Sequence, residues 1–336
     1  MIMQTRNQWS TIRCALISLL AAVIPTAVAE SQDTDQAARP ARFQIEVWGG
    51  YATLDASDLN LAVSHDNGVQ ELLFDEKYPW LLSEGEIISW TRTGEGERRE
   101  LSQVTPIGGR VKYRLRSWLI LSLGYKYFST TESESFDYEY SSFPYPGHLN
   151  MERIGIAPFS LSAKGQGPLV GVHLLKTLSD SAGLEVFLAG GPLFVEARYE
   201  QHQTYEWWFD AGGGETLVHQ SDAHRVEEGD GTGLALEVGG QLSYRLYKGW
   251  GLFLEAAYAY QKAGLSGSGS ETRDGVTESW EGDWQVRQDE IVTQWGSRSL
   301  EFPTAFPDDG PDSGAVRDFD LDLSGFQLRL GVLFRF

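Results

Sequence analysis

The last eleven residues alternate without a break, Phe326, Leu328, Leu330, Val332, Phe334 and Phe336 interleaving with Gln327, Arg329, Gly331, Leu333 and Arg335. A period of two residues is the signature of a strand with one apolar face and one mostly polar face. The pattern recurs at Leu234, Leu236, Val238, Leu242 and Tyr244, and again at Leu252, Leu254, Ala256, Tyr258 and Tyr260. Only Lys248-Gly249 and its flanks separate those two runs, so they read as a tight hairpin. Strands of about ten residues are long enough, when tilted, to cross the apolar core of a bilayer.

Five further strands are expected at Phe43 to about Leu54, Ile107 to Leu115, Leu119 to Ser129, Pro168 to Thr177 and Leu184 to Tyr199. In the last of these, Gly190-Gly191-Pro192 could hold a bulge that exchanges the two faces, so its register stays open. The total is eight, and the connections decide the topology. Arg116-Ser117, about Ser179 to Gly183 and Lys248-Gly249 are short, whereas about 55–105, 130–167, 200–233 and 262–323 are long. Strict alternation of short and long is the connectivity of an antiparallel up-and-down transmembrane β-barrel, with both termini and the short turns on the periplasmic side. Asp55 to about Tyr78 could form one or two short helices. Tyr205-Glu-Trp-Trp-Phe and Glu215-Thr-Leu-Val-His read as a hairpin projecting above the membrane, with a ninth and tenth spanning strand as the alternative.

Composition fits such a wall. The chain has 11 Trp, 14 Tyr and 16 Phe at a mean hydropathy of −0.29, polar on average and rich in the residues that favour bilayer interfaces. Trp118, Tyr244, Trp250 and Phe336 fall at the short-turn ends, and Tyr51, Tyr125, Tyr127, Tyr199, Tyr258 and Tyr260 nearer the long connections, so two aromatic girdles are expected. Residues 1–29 carry Arg6 and Arg13, an apolar run from Cys14 and the small-residue site Ala27-Val28-Ala29, the pattern of a cleavable export signal. Residues 30–41 are then a periplasmic N-terminal segment and 42–336 the barrel with its loops. Cys14 is the one cysteine, so the exported part has no disulfide framework. The net charge is −20; losing two arginines with the leader makes it −22, which argues against nucleic acid as a partner.

Inward-facing positions collect Glu46, Glu237 and Glu255 against Arg110, Lys112, Arg114, Lys126, Arg245, Arg329 and Arg335. Eight strands enclose a bore that side chains just fill, so these ten are expected to pair into a plug, with a narrow ion path as the alternative. His219, Asp222 and His224, with His202 nearby, form a cluster without the spacing of a known ligand motif, and Asp308-Asp-Gly-Pro-Asp with Asp318, Asp320 and Asp322 forms an acidic surface. No metal or other cofactor is expected. His173, with Ser160 and Ser162 in the preceding connection, is the nearest approach to a barrel-embedded hydrolase, and no nucleophile motif accompanies it.

Val47-Trp-Gly-Gly-Tyr51, Gly108-Gly-Arg-Val-Lys-Tyr-Arg114 and the Leu-Gly-Tyr-Lys-Tyr stretch ending at Tyr127 join the terminal strand in a pattern that resembles bacterial outer-membrane β-barrel domains, among them the outer-membrane protein A-type and W-type barrels. The resemblance runs from Phe43 to Phe336, in pattern and not in any functional motif. It implies residence in the outer membrane of a Gram-negative cell, recognition of Phe336 by the barrel assembly machinery, and lipid and lipopolysaccharide as surroundings. The loops are longer than in the smallest members, and no peptidoglycan-binding domain follows the barrel. The expected role is a closed, non-enzymatic surface barrel whose acidic, aromatic loops bind an extracellular ligand or stabilise the envelope, with a small channel for ions or hydrophobic compounds as the alternative.

Overall fold

The structure, a computed structural model, describes residues 42–71, 83, 89–93, 100–145, 148–210, 214–293, 296–305 and 317–336. Its elements in chain order are β1 (Phe43–Thr53), α1 (Ser57–Glu71), β2 (Ser89–Thr93), β3 (Gln103–Val104), β4 (Ile107–Arg114), β5 (Leu119–Tyr145), β6 (His148–Thr177), β7 (Ala182–Asp210), β8 (Glu215–Tyr247), β9 (Trp250–Ala263), β10 (Ser266–Arg273), β11 (Val276–Thr293), β12 (Gly296–Ala305), β13 (Arg317–Asp318), β14 (Leu321–Asp322) and β15 (Gly325–Arg335). Eight of them close a ring of antiparallel neighbours in the order β1, β4, β5, β6, β7, β8, β9, β15. The terminal strand returns to the first with Val47 opposite Val332, and Phe43 and Phe336 exchange backbone hydrogen bonds at 3.1 and 3.0 Å. The fold is therefore an eight-stranded antiparallel up-and-down barrel of the transmembrane type.

Side-chain alternation sets which way each strand faces. In β9 every second residue from Gly251 to Ala263 is buried, and Leu252, Leu254, Tyr258 and Tyr260 point outward. The outer face carries an apolar band with Leu123, Val170 and Leu330 each more than 60% exposed. In water such a band would be unstable; against acyl chains it is the favoured surface. Trp118, Tyr244 and Trp250 lie exposed at its short-turn edge and Tyr51, Tyr258 and Tyr260 at the other. Tyr199 departs from the expected girdle, because its position has the inward phase and its ring packs edge-on against Phe159 at 5.7 Å.

The Lys248-Gly249 turn has both residues at positive φ, +37° and +89°, the twist that a two-residue antiparallel hairpin requires. Asp274-Gly275, at +51° and +83°, makes the same turn between β10 and β11. The register left open at Gly190-Gly191-Pro192 is settled without a bulge. Gln166 faces Phe194 and Val170 faces Gly190 in one unbroken register, so β7 keeps the same face inward throughout. Much of what reads as long loops is strand: 130–145 and 148–167 continue β5 and β6, and the hairpin expected at Tyr205–Phe209 and Glu215–His219 is formed where 200–210 and 215–233 continue β7 and β8. These continuations lack a lipid-facing alternation because their surroundings are not lipid on one side and core on the other; residues 200–210 are all half-buried.

The wall is consequently uneven. β4 has 8 residues and β1 and β15 have 11, whereas β6 has 30 and β8 has 33. Above the ring, β10 pairs with the upper part of β8, β11 with β10 and β12 with β11, which extends the tall side sideways. None of these joins the ring. Among the described residues, no helix is long and apolar enough to cross a membrane. The leader (1–29), residues 30–41 and Asp308 to Asp312 lie outside the described residues, as do residues 72–78 of the segment expected to contain helix.

Candidate functional site

Among the described residues, the bore is the place where the fold gathers buried charge from every side. Each ring strand turns alternate side chains toward the axis, and the sequence puts ions there from seven strands. They form one chain of alternating sign. Lys126 on β5 binds Glu237 on β8 at 2.5 Å, and Glu237 binds Arg329 on β15 at 2.7 Å. Arg329 reaches Glu255 on β9 at 2.7 Å, and Glu255 also pairs with Arg110 on β4. Arg110 binds Glu46 on β1, Glu46 binds Lys112 on β4 at 2.8 Å, and Lys112 ends on Glu185 of β7 at 2.6 Å. All eight are buried, four carboxylates and four cations, so the net charge of the chain is zero.

A charge moved out of water is costly unless it is paired and its remaining lone pairs and protons are satisfied. The neutral neighbours do the second part. The Gln241 side chain accepts from Arg110 at 2.6 Å and from Lys112 at 2.8 Å while donating to Glu46 at 2.8 Å. Gln44 donates to Glu46, and Gln327 accepts from Arg329. The guanidinium of Arg329 also lies over the Trp48 ring, 4.2 Å from its centre. That indole rests in turn on Gly108 of the neighbouring strand, where any side chain would collide with it.

Seven of the ten charges expected inside belong to this chain: Glu46, Glu237, Glu255, Arg110, Lys112, Lys126 and Arg329. Arg114, Arg245 and Arg335 do not. They lie at the short-turn mouth, Arg245 exposed and the other two half-buried, and no ion pair joins them to a carboxylate among the described residues. Glu185 was absent from the expected set because the suspected bulge left the face of its strand open; the unbroken register turns it inward. Gln241 carries no charge, so a search for ions passes over it.

Higher in the bore the chemistry reverses. Phe128, Phe159, Leu161, Leu193, Val195, Trp284, Phe319 and Leu321 form a continuous buried apolar cluster, joined from above by Leu59 and Val63 of α1. Two polar contacts fix that cap. Asn60 clamps the backbone of Leu101 through both ends of its amide, at 2.8 and 3.1 Å. Asp58 receives both terminal nitrogens of Arg317 at 2.8 Å and the backbone N–H of Asp320 at 2.9 Å, which ties the first connection to the last.

His173 is fully buried in β6. Its Nε2 is 2.9 Å from the Ser122 hydroxyl, and its Nδ1 is 3.1 Å from Glu185 but out of line for a hydrogen bond. The order Ser, His, Glu invites comparison with a hydrolytic triad, but Ser122 borders a gap of about 20 Å³, room for roughly one water. Glu185 is moreover held by Lys112. Ser160 and Ser162 lie elsewhere along β6, facing Ser133 and Thr131. On the tall wall, His202 faces His224 across the β7 and β8 ribbon, each with its own carboxylate: Asp222 at 2.9 Å and Glu200 at 3.0 Å. Lys262 takes Asp320 at 2.7 Å and Asp322 at 3.4 Å. Among the described residues no three His, Cys, Asp or Glu side chains converge as a metal site.

Ring closure, the outward apolar band and the filled bore define the class: a closed eight-stranded barrel of the transmembrane type. No protein-family model and no curated protein matches the chain. Among solved structures, the outer membrane protein OprG from Pseudomonas aeruginosa is similar over 90% of this chain and 100% of its own, at 11% identity and a TM-score of 0.27. A Pseudomonas aeruginosa FadL homologue is similar over 88% and 90%, at 8% identity and a TM-score of 0.16.

Proposed function

We propose that the chain resides in the outer membrane of a Gram-negative cell as a closed barrel, short turns in the periplasm and tall wall outside, and that it acts at the surface by binding rather than by conducting. One observation carries this reading: the bore is blocked twice, by eight mutually paired charges and then by an apolar cluster capped by α1. Among the described residues these two fillings leave a hydrated ion no continuous polar path, which supports the closed reading. The outward apolar band between two aromatic rims supports membrane residence, and strands of about 30 residues on one side supply far more wall than a bilayer needs. The tall wall is acidic and carries Tyr205, Trp207, Trp208 and Phe209 on one strand, a composition suited to an extracellular ligand or to cation-bridged lipopolysaccharide.

Planar-bilayer recording of the purified mature protein tests this directly. Silence over the range in which porins conduct is expected, and steady discrete current steps would overturn the closed reading in favour of a small channel. Barrel formation itself is checked by migration in SDS gels, where folded protein should run apart from boiled protein.

A further inference from the structure

The three arginines left out of the paired chain are placed in a pattern. Arg114 ends β4, Arg245 lies near the end of β8 and Arg335 ends β15. In the ring order β8, β9, β15, β1, β4 these are alternate strands, and all three positions have the inward phase, so the side chains belong to one layer at the short-turn mouth. Arg335 lies within the electrostatic reach of both Arg114 and Arg245. The acids in that same reach, Glu46 and Glu185, are already engaged by Arg110 and Lys112. What holds Arg335 is neutral: its Nε donates to Gln44 at 2.8 Å and its Nη2 to Ser243 at 3.1 Å, which fixes the guanidinium and leaves further N–H groups unused. Arg42, Arg116, Lys176 and Lys248 surround this mouth, with Asp180 as the acid in the turns there. Three like charges in one layer, none joined to a carboxylate among the described residues, favour an anion from outside as their counter-charge.

We propose that Arg114, Arg245 and Arg335 form a binding site for a phosphate group at the short-turn mouth of the barrel. Guanidinium groups bind the oxygens of phosphate in pairs, and a preset fork loses little freedom on doing so. The inward phase of the three favours a free phosphate entering along the axis over a headgroup in the surrounding leaflet.

The test uses the mature protein in nanodiscs of phosphatidylcholine, titrated calorimetrically with inorganic phosphate and, for comparison, acetate. Saturable phosphate binding that exceeds acetate binding and weakens with added salt is expected. Arg245→Gln, at an exposed position with no contact to lose, should weaken it about tenfold, and the triple Gln variant should abolish it. SDS-gel migration confirms that each variant is folded. In nanodiscs containing phosphatidylglycerol, unchanged phosphate affinity supports the free ligand, and competition assigns the same site to a lipid phosphate. Absence of phosphate binding in both membranes, or equal binding by wild type and Arg245→Gln, overturns the proposal. So does binding that emerges only after Glu30, Asp33 and Asp35 are neutralised, because the chain's own acidic stretch would then be the counter-charge.

Discussion

From Glu185 up to Lys126 the bore is filled by ions of alternating sign, and from Phe128 up to Leu59 by side chains that are almost wholly apolar, yet both fillings exclude water. The difference lies in how each fails. A row of paired charges depends on its members: removing one from the middle takes a counter-charge from two buried ions at once and cuts the row, and neither ion can regain water. Apolar packing is local, so removal of one side chain leaves a void whose cost depends on how far its neighbours relax. The lower filling therefore sets register and strand pairing sharply, and the upper one tolerates change.

The largest effect should come from the middle of the charged row. Glu255 joins Arg110 to Arg329, and Glu255→Ala is expected to lower unfolding free energy in detergent or vesicles by ~3–5 kcal/mol, measured by urea titration. Lys126→Met, at the end of the row, should cost less than half as much, since Glu237 keeps Arg329. Equal losses at the two positions would break the picture of a connected row. In the apolar half, Leu161→Ala should cost ~2–4 kcal/mol by the same titration and leave the bilayer recording silent. Smaller again is the cap: Asp58→Asn weakens the Arg317 pairing and should cost ~1–2 kcal/mol, with amides of α1 and residues 317–323 exchanging faster with solvent.

The smallest effect is confined to the tall wall. A hydrogen bond from Arg198 holds the Glu200 carboxyl below its ordinary value of 4.5, with His224 assisting, although partial burial opposes the shift. A lowered carboxylate contributes stability that is fully present above the unfolded value and lost as pH falls through the folded one. Hydrogen-exchange protection in residues 198–226, taken relative to the intrinsic rate at each pH, should thus fall only below about pH 4.5, and a loss of protection between pH 7 and 5 would contradict this assignment.

The ring was legible because lipid on one side and a packed bore on the other impose a period of two on every strand between them. Where that contrast ends, so does the signal: β6 runs on through 148–167 without it and that stretch reads as loop, whereas Tyr205–Phe209 and Glu215–His219 still read as a hairpin because Asp210 and the glycines after it mark a turn. The Asp274-Gly275 turn was the available clue to β10 and β11, since Asp-Gly is a favoured two-residue hairpin turn. Seven of the interior ions followed from phase alone. That Arg114, Arg245 and Arg335 stand apart did not, because phase gives the side of the wall and says nothing about height along it.

The unequal strand lengths give the described wall a front and a back when seen along the barrel axis. Among the described strands, β1, β4, β9 and β15 form a low parapet and β5 to β8 a standing screen. Neighbouring proteins in a crowded leaflet would consequently settle around it in preferred azimuths, although the embedded part of the cylinder is nearly uniform.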